Sequence, residues 1–146
     1  MREFKTILCP TDFSEESYRA IDYGARFAKA SDGRLLLAHI IHVPQGELYQ
    51  PDRPTLTFEE GKALAMARME EIRHKQLADC STCELLVDIG DPYEQLKAIA
   101  DDRKVDLIVI ATHGRTALQH LVMGSVAEKL IRHAPCPVLV VRRDVN

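Results

Sequence analysis

Two loops carry the residue types that could do chemistry. The first lies in the segment from Asp106 to Val126, D-L-I-V-I-A-T-H-G-R-T-A-L-Q-H-L-V-M-G-S-V, where Gly114 is followed by the nine residues Arg115 to Met123 and then by Gly124-Ser125. An apolar run suited to a buried strand precedes Gly114, and a helical pattern starts at Gly124 and Ser125. Glycine lets backbone N–H groups approach an anion with no Cβ in the way, and the unpaired amides of a helix start carry partial positive charge. Strand, glycine loop and helix start in that order point to a phosphate site. The second loop, Cys9-Pro10-Thr11-Asp12-Phe13-Ser14, offers hydroxyls and a carboxylate after another apolar run.

Other chemistries find less support. The second loop holds no glycine, so the G-x-G-x-x-G dinucleotide fingerprint is missing, and no G-x-x-x-x-G-K-[ST] occurs. His113 and His120 border the glycine loop as general acids, phosphate partners or plain polar surface. His39 and His42, in or ending an apolar run, read as satisfied structural residues. Cys80-Ser81-Thr82-Cys83 has the C-x-x-C spacing of a dithiol or half a metal site, but no second pair completes four zinc ligands. Cys9 and Cys136 read as small core hydrophobes. No catalytic triad can be argued from residue order, because triads are defined by geometry.

The elements that must position these loops are legible. Strands are expected at Thr6–Pro10, Arg34–His42, Cys83–Ile89, Asp106–Ala111 and Pro137–Arg142, most of them nearly continuous Val, Ile and Leu, as when both sheet faces are covered. Helix starts are expected where Asp12 precedes Glu15, Thr57 precedes Glu60, Asp91 precedes Glu94 with Pro92 between, and Ser125 precedes Glu128. Asp12 and Ser125 thus have a capping role open to them beside a ligand role. Strand and helix alternation implies right-handed crossovers and an α/β, doubly wound, Rossmann-like parallel sheet of five strands with helices on both faces. In such sheets ligands sit at the carboxyl ends of strands where strand order reverses, which singles out the loops after the first and fourth strands. The Pro-rich segment 43–56, with Pro44, Pro51 and Pro54, reads as a surface insertion or a lid.

At 146 residues the chain fits one domain, 1–146, with an ordinary 46% of hydrophobic residues. A net charge of −3 argues against a polyanion-binding surface, so no nucleic-acid partner is expected. No apolar run reaches membrane-spanning length and the N-terminus lacks a signal-peptide pattern, which together place the expected location in the cytoplasm with reduced cysteines.

Almost the whole chain resembles the universal stress protein family in its ATP-binding branch. The resemblance is carried by K-T-I-L-C-P-T-D-F-S, L-L-A-H-I, G-D-P, D-L-I-V-I-A-T-H-G-R and G-S-V-A-E-K-L-I-R-H-A-P-C-P-V-L-V-V. The family's nucleotide pattern, G-x-x-G, nine residues, then G followed by S or T, is matched by Gly114 and Gly124-Ser125, with Ala111 in place of the leading glycine. The resemblance implies a fold of the adenine nucleotide alpha hydrolase type, binding ATP with Mg²⁺ held mainly by phosphate oxygens and water. Pro10, Thr11 and Asp12 would line the adenosine, the backbone of Ile40 would meet the adenine edge, and Gly114, Gly124, Ser125 and the Val126 amide would bind phosphates. Arg115 would stand by as a charge partner and His113 beside it. Ala111 would fit without strain if its φ is negative, and would otherwise crowd the ribose. The resemblance further implies a homodimer through the last strand, Val138, Leu139, Val140 and Val141, and a role in stress response or signalling. No residue presents as a base for water attack, so at most slow ATP hydrolysis is expected. The alternatives are a dimeric scaffold without nucleotide, a weak Mg²⁺-dependent ATPase, and a thiol switch at Cys80 and Cys83.

Overall fold

A computed structural model describes residues 3–42, 57–112 and 124–142. Five strands and four helices alternate along it: β1 (Thr6–Pro10), α1 (Glu15–Ala30), β2 (Arg34–His42), α2 (Phe58–Gln76), β3 (Cys83–Gly90), α3 (Pro92–Asp102), β4 (Leu107–Ala111), α4 (Ser125–His133) and β5 (Val138–Val141). All pairings are parallel and the strand order is β3-β2-β1-β4-β5. The expected doubly wound α/β sheet is therefore the observed one.

Period-two alternation divides the strand side chains between two cores. Ile7, Cys9, Leu35, Leu37, Leu107 and Val109 pack with Ala20, Ile21 and Ala28 of α1 and with Ala65, Met69 and Ile72 of α2. Leu8, Leu36, Ala38, Ile40, Ile108 and Ile110 face the other way, onto Leu96 and Ala100 of α3 and Ala127 and Leu130 of α4. Each fully buried Leu or Ile contributes about 1.5–3 kcal/mol relative to exposure, so the central strands fix the layering. Edge strand β5 is less covered: Val138, Leu139 and Val140 are all half-buried.

The strands start and stop near their expected limits, with physical reasons for the differences. Asp106 falls outside β4, because its carboxylate accepts hydrogen bonds from the backbone amides of Lys5 (3.1 Å) and Thr6 (2.9 Å) while its own amide donates to the Thr6 carbonyl (2.8 Å). It clamps the start of β1 to the start of β4. Pro137 and Arg142 also lie outside β5, and Gly90, at φ +138°, extends β3 by one residue.

Helix starts conform at α2 and α3. Thr57 and Glu60 form a complete capping box, and Asp91 caps α3 with Pro92 in the first turn. The other two expected caps are corrected. α1 is capped by Ser14, whose hydroxyl accepts from the Ser17 amide at 3.2 Å, not by Asp12. The N-cap of α4 is Gly124, with no side-chain cap hydrogen bond, so Ser125 lies inside the helix and the expected Ser125–Glu128 capping box does not form.

The turn at Gly33 into β2 leaves no room for a side chain. A Cβ there would lie 2.5 Å from the Lys5 carbonyl oxygen and 2.9 Å from the Ser31 hydroxyl, whereas at Gly61 in α2 its nearest neighbour would be Ile41 Cδ1 at 3.8 Å. Gly33→Ala is expected to lower stability by about 1–3 kcal/mol through overpacking. Gly61→Ala should raise it by about 0.4–1 kcal/mol through the lower entropy of the unfolded chain. Urea denaturation midpoints of the two variants check both signs.

Candidate functional site

β1 neighbours β2 on one side and β4 on the other, so the strand order of the sheet reverses between β1 and β4. Their carboxyl ends, with that of β2, wall a cavity of about 540 Å³. That volume lies within the usual range for small-molecule sites. Its lining includes Pro10, Thr11, Asp12 and Ser17; Ala38, His39, Ile40, Ile41 and His42; Pro92 and Leu96; and Ile110, Ala111, Thr112, Gly124, Ser125, Val126 and Ala127.

Eight sequence-derived site residues therefore meet in one pocket: Pro10, Thr11, Asp12, Ile40, Ala111, Gly124, Ser125 and Val126. His113, Gly114 and Arg115 lie outside the described residues, as do His120 and segment 43–56.

The wall formed by residues 10–17 is held by an ordered hydrogen-bond chain. The Thr11 amide donates to the Ala38 carbonyl at 2.8 Å, continuing the β1–β2 ladder one residue past its last register pair, Pro10 with Ala38. The Phe13 amide donates to Thr11 Oγ1 (3.0 Å), Thr11 Oγ1 lies 2.8 Å from Ser17 Oγ, and Ser17 Oγ donates to the Ser14 carbonyl (2.7 Å). Since each hydroxyl has one proton, Thr11 donates to Ser17 and the chain runs in one direction. Both hydroxyl residues are nearly inaccessible, at 5% for Thr11 and 4% for Ser17, so these bonds satisfy groups that water cannot reach.

Asp12 is half-buried in this loop, and its Oδ1 accepts the Ser14 amide at 3.0 Å, an Asx turn that orients the carboxylate locally. Phe13 adopts φ +65°, a conformation costly for a bulky residue. Its ring is compensated by contacts on two sides: the His39 ring at 4.4 Å between centroids and the Arg68 guanidinium carbon at 4.2 Å from the ring centre.

On the opposite wall, Gly124 hands the chain into α4. Its amide donates to the Thr112 carbonyl at 2.7 Å. Its φ is −56°, and a Cβ would meet the Thr112 carbonyl oxygen at 3.4 Å, an ordinary contact. Neither its backbone conformation nor packing against the described residues demands glycine there. What glycine supplies is open access to the first amides of α4, which among the described residues have no side-chain cap and border the cavity. Ala111 is not among the residues with positive φ, so alanine fits the end of β4 without backbone strain.

Several lining residues escaped sequence reasoning. Ser17 was hidden inside a helix start, and its signal was the hydroxyl spacing Thr11, Ser14, Ser17. His39 is hydrogen-bonded as expected, with Nδ1 at 2.8 Å from the Thr11 carbonyl oxygen, but it also lines the pocket. His42 lines the pocket too and is exposed at the end of β2.

The thiols lie elsewhere. Cys83 starts β3, at the end of the sheet opposite the pocket, and all four cysteines are unbridged. Cys9 is fully buried as expected, and Cys136 is half-buried against the core under α3 and α4. Burial, and then the neighbouring Cys80, push the Cys83 thiol up to about 11. A thiol so protonated at neutral pH is a poor nucleophile. Among the described residues no group of three or more His, Cys, Asp and Glu side chains could hold a metal ion, and no helix is long and apolar enough to cross a membrane.

Comparison with known proteins gives a consistent result. The model of the universal stress protein family matches residues 3–142. The chain is 35% identical over 141 residues to a universal stress protein of Thermus aquaticus, covering 95% of this chain and 99% of that one. It is 30% identical to one from Methanocaldococcus jannaschii, covering 96% of each. The solved structure of the latter superposes with a TM-score of 0.77 over 99% of this chain and all of that one, at 29% identity. A universal stress protein solved in complex with cAMP superposes with a TM-score of 0.72 at 27% identity, covering 97% of this chain and 98% of that one.

With the thiol pKa near 11, Cys83 is expected to react slowly with iodoacetamide in the folded protein at pH 7–8 and to accelerate as the pH rises toward 11. Peptide-level mass spectrometry of alkylation against pH checks this. Fast labelling of Cys83 at neutral pH would reinstate a reactive thiol.

Proposed function

Since this chain belongs to the universal stress protein family, we propose that its pocket binds an adenine nucleotide, ATP with Mg²⁺ in the first place, and that occupancy governs its contacts in a stress response or signalling role. The observation that carries this reading is the uncapped start of α4 opening into a cavity at the β1/β4 reversal. A relative solved with cAMP supports the class of ligand.

In this reading Pro10, Thr11 and Asp12 line the adenosine, with the Asp12 carboxylate accepting hydrogen bonds from ribose or adenine. The Ile40 backbone meets the adenine edge. The amides at Gly124, Ser125 and Val126, with the Ser125 hydroxyl, hold phosphate oxygens, and His113, Gly114 and Arg115 complete that side. Among the described residues no cluster of three or more His, Cys, Asp and Glu side chains could hold a metal ion, and in this reading a divalent ion would take its ligands mainly from phosphate and water. Mg²⁺ supplies charge neutralisation there, and the protein's part is to bind and orient.

The reading also includes a homodimer in the cytoplasm, formed by edge strand β5. The Pro137 and Val141 carbonyls accept from Ile108 and Thr112 of the β4 side. By alternation Val138 and Val140 present their backbone groups outward, toward a second copy.

Calorimetric titration of nucleotide-stripped protein should give near one ATP per chain, weakened by removal of Mg²⁺. Asp12→Ala should weaken affinity about tenfold, and Gly124→Val at least as much, by covering the α4 amides. A folded wild-type protein that takes up no ATP would return the chain to the scaffold reading. For the dimer, Val140→Pro removes an outward N–H while sparing the β4 ladder, and should convert a dimer to a monomer in sedimentation equilibrium. A wild-type monomer, or a variant that stays dimeric, contradicts the edge pairing.

A further inference from the structure

His39 occupies a position that strand geometry assigns to an apolar side chain. Leu35 and Leu37, four and two residues earlier on the same face of β2, are fully buried in the core under α1 and α2. At His39 that face carries an imidazole, half-buried, with its Nδ1 at 2.8 Å from the Thr11 carbonyl oxygen. A carbonyl can only accept, so Nδ1 carries the proton and the tautomer is set. The Thr11 carbonyl lies beyond the last β1–β2 register pair, where the ladder ends, and the imidazole extends the anchoring of the loop to β2. The same ring packs tilted, at 39°, against Phe13, whose left-handed backbone needs outside support, and Phe13 is covered in turn by Arg68 of α2.

We infer that His39 is a positioning residue of the nucleotide pocket: its Nδ1–H holds the Thr11 carbonyl and its ring braces Phe13, so that Asp12, between them, is presented to the ligand in one orientation. Asp12 has a residue pinned by His39 on each side, Thr11 by hydrogen bond and Phe13 by ring contact. The brace joins Thr11 and Phe13 of the loop after β1, His39 of β2 and Arg68 of α2, three segments far apart in sequence. Its ligand consequence rests on the nucleotide reading above; its effect on the loop does not.

The full-length protein with His39→Leu and His39→Asn tests it. Leucine keeps the volume and removes the donor, whereas the asparagine amide can reach where Nδ1 stands. ATP affinity in the presence of Mg²⁺ is expected to fall about tenfold in His39→Leu and to recover to within about threefold of wild type in His39→Asn. Hydrogen exchange at the Phe13 and Ser14 amides should speed up in the leucine variant and return in the asparagine variant, and imidazole ¹⁵N spectra of the wild type should show the proton on Nδ1. Unchanged affinity and unchanged exchange in His39→Leu, or a neutral ring protonated at Nε2, would overturn the inference. If the wild type binds no ATP, the nucleotide reading falls, and the exchange and ¹⁵N results still decide whether His39 holds the loop.

Discussion

The rest of this structure depends on β1 being buried on both faces beside β4, a strand about a hundred residues away in sequence. Thr6, Ile7, Leu8 and Cys9 are all buried, as are Leu107, Val109, Ile108 and Ile110. The Asp106 carboxylate, accepting two amides at the start of β1, sets where the pair begins. Once the two strands are joined, the chain after β1 leaves toward α1 on one face. The chain after β4 leads on to α4 on the other. No helix can cover the gap between those departures, so a crevice stays open at the carboxyl ends. The pocket is thus a by-product of satisfying two hydrophobic faces with right-handed crossovers.

The two walls of the crevice meet their hydrogen-bonding needs in opposite ways. On the β1 side the polar groups are paired within the protein, through Thr11, Ser14 and Ser17, and through His39 to the Thr11 carbonyl. On the α4 side the helix start is left without a side-chain acceptor, although the other three helices all have one. A preorganised wall facing helix-start donors with no side-chain cap among the described residues is an arrangement in which an anion is bound with little rearrangement of the protein. The unfavourable backbone of Phe13 belongs to the same economy, being tolerated where a rigid loop borders a binding cavity.

Reading the chain by periodicity placed every strand core and all four helices, because central parallel strands are apolar on both faces and helices announce themselves by caps. Where it failed, two local solutions were nearly equivalent. Asp12 followed by Glu15 fits the capping pattern, yet Ser14 caps α1, and Asp12 instead accepts the Ser14 amide. Ser125 followed by Glu128 fits it as well, yet the N-cap is one residue earlier, at Gly124, and Ser125 is the first residue of α4. In both cases the competing residue lies within two positions.

By itself the sequence determined the α/β class, the two-faced burial of the strands, and the two loops at which a ligand would lie, since these follow from side-chain chemistry repeated at periods of 2 and 3.6. Only the tertiary structure decided that Asp12 and Ser125 are not caps, that Ala111 sits without strain, and that Ser17 and His39 belong to the pocket. Those facts depend on distances between residues far apart in the chain, such as His39 to Thr11 and Thr112 to Gly124. No local pattern encodes them, because they exist only once β2 and β4 lie on either side of β1.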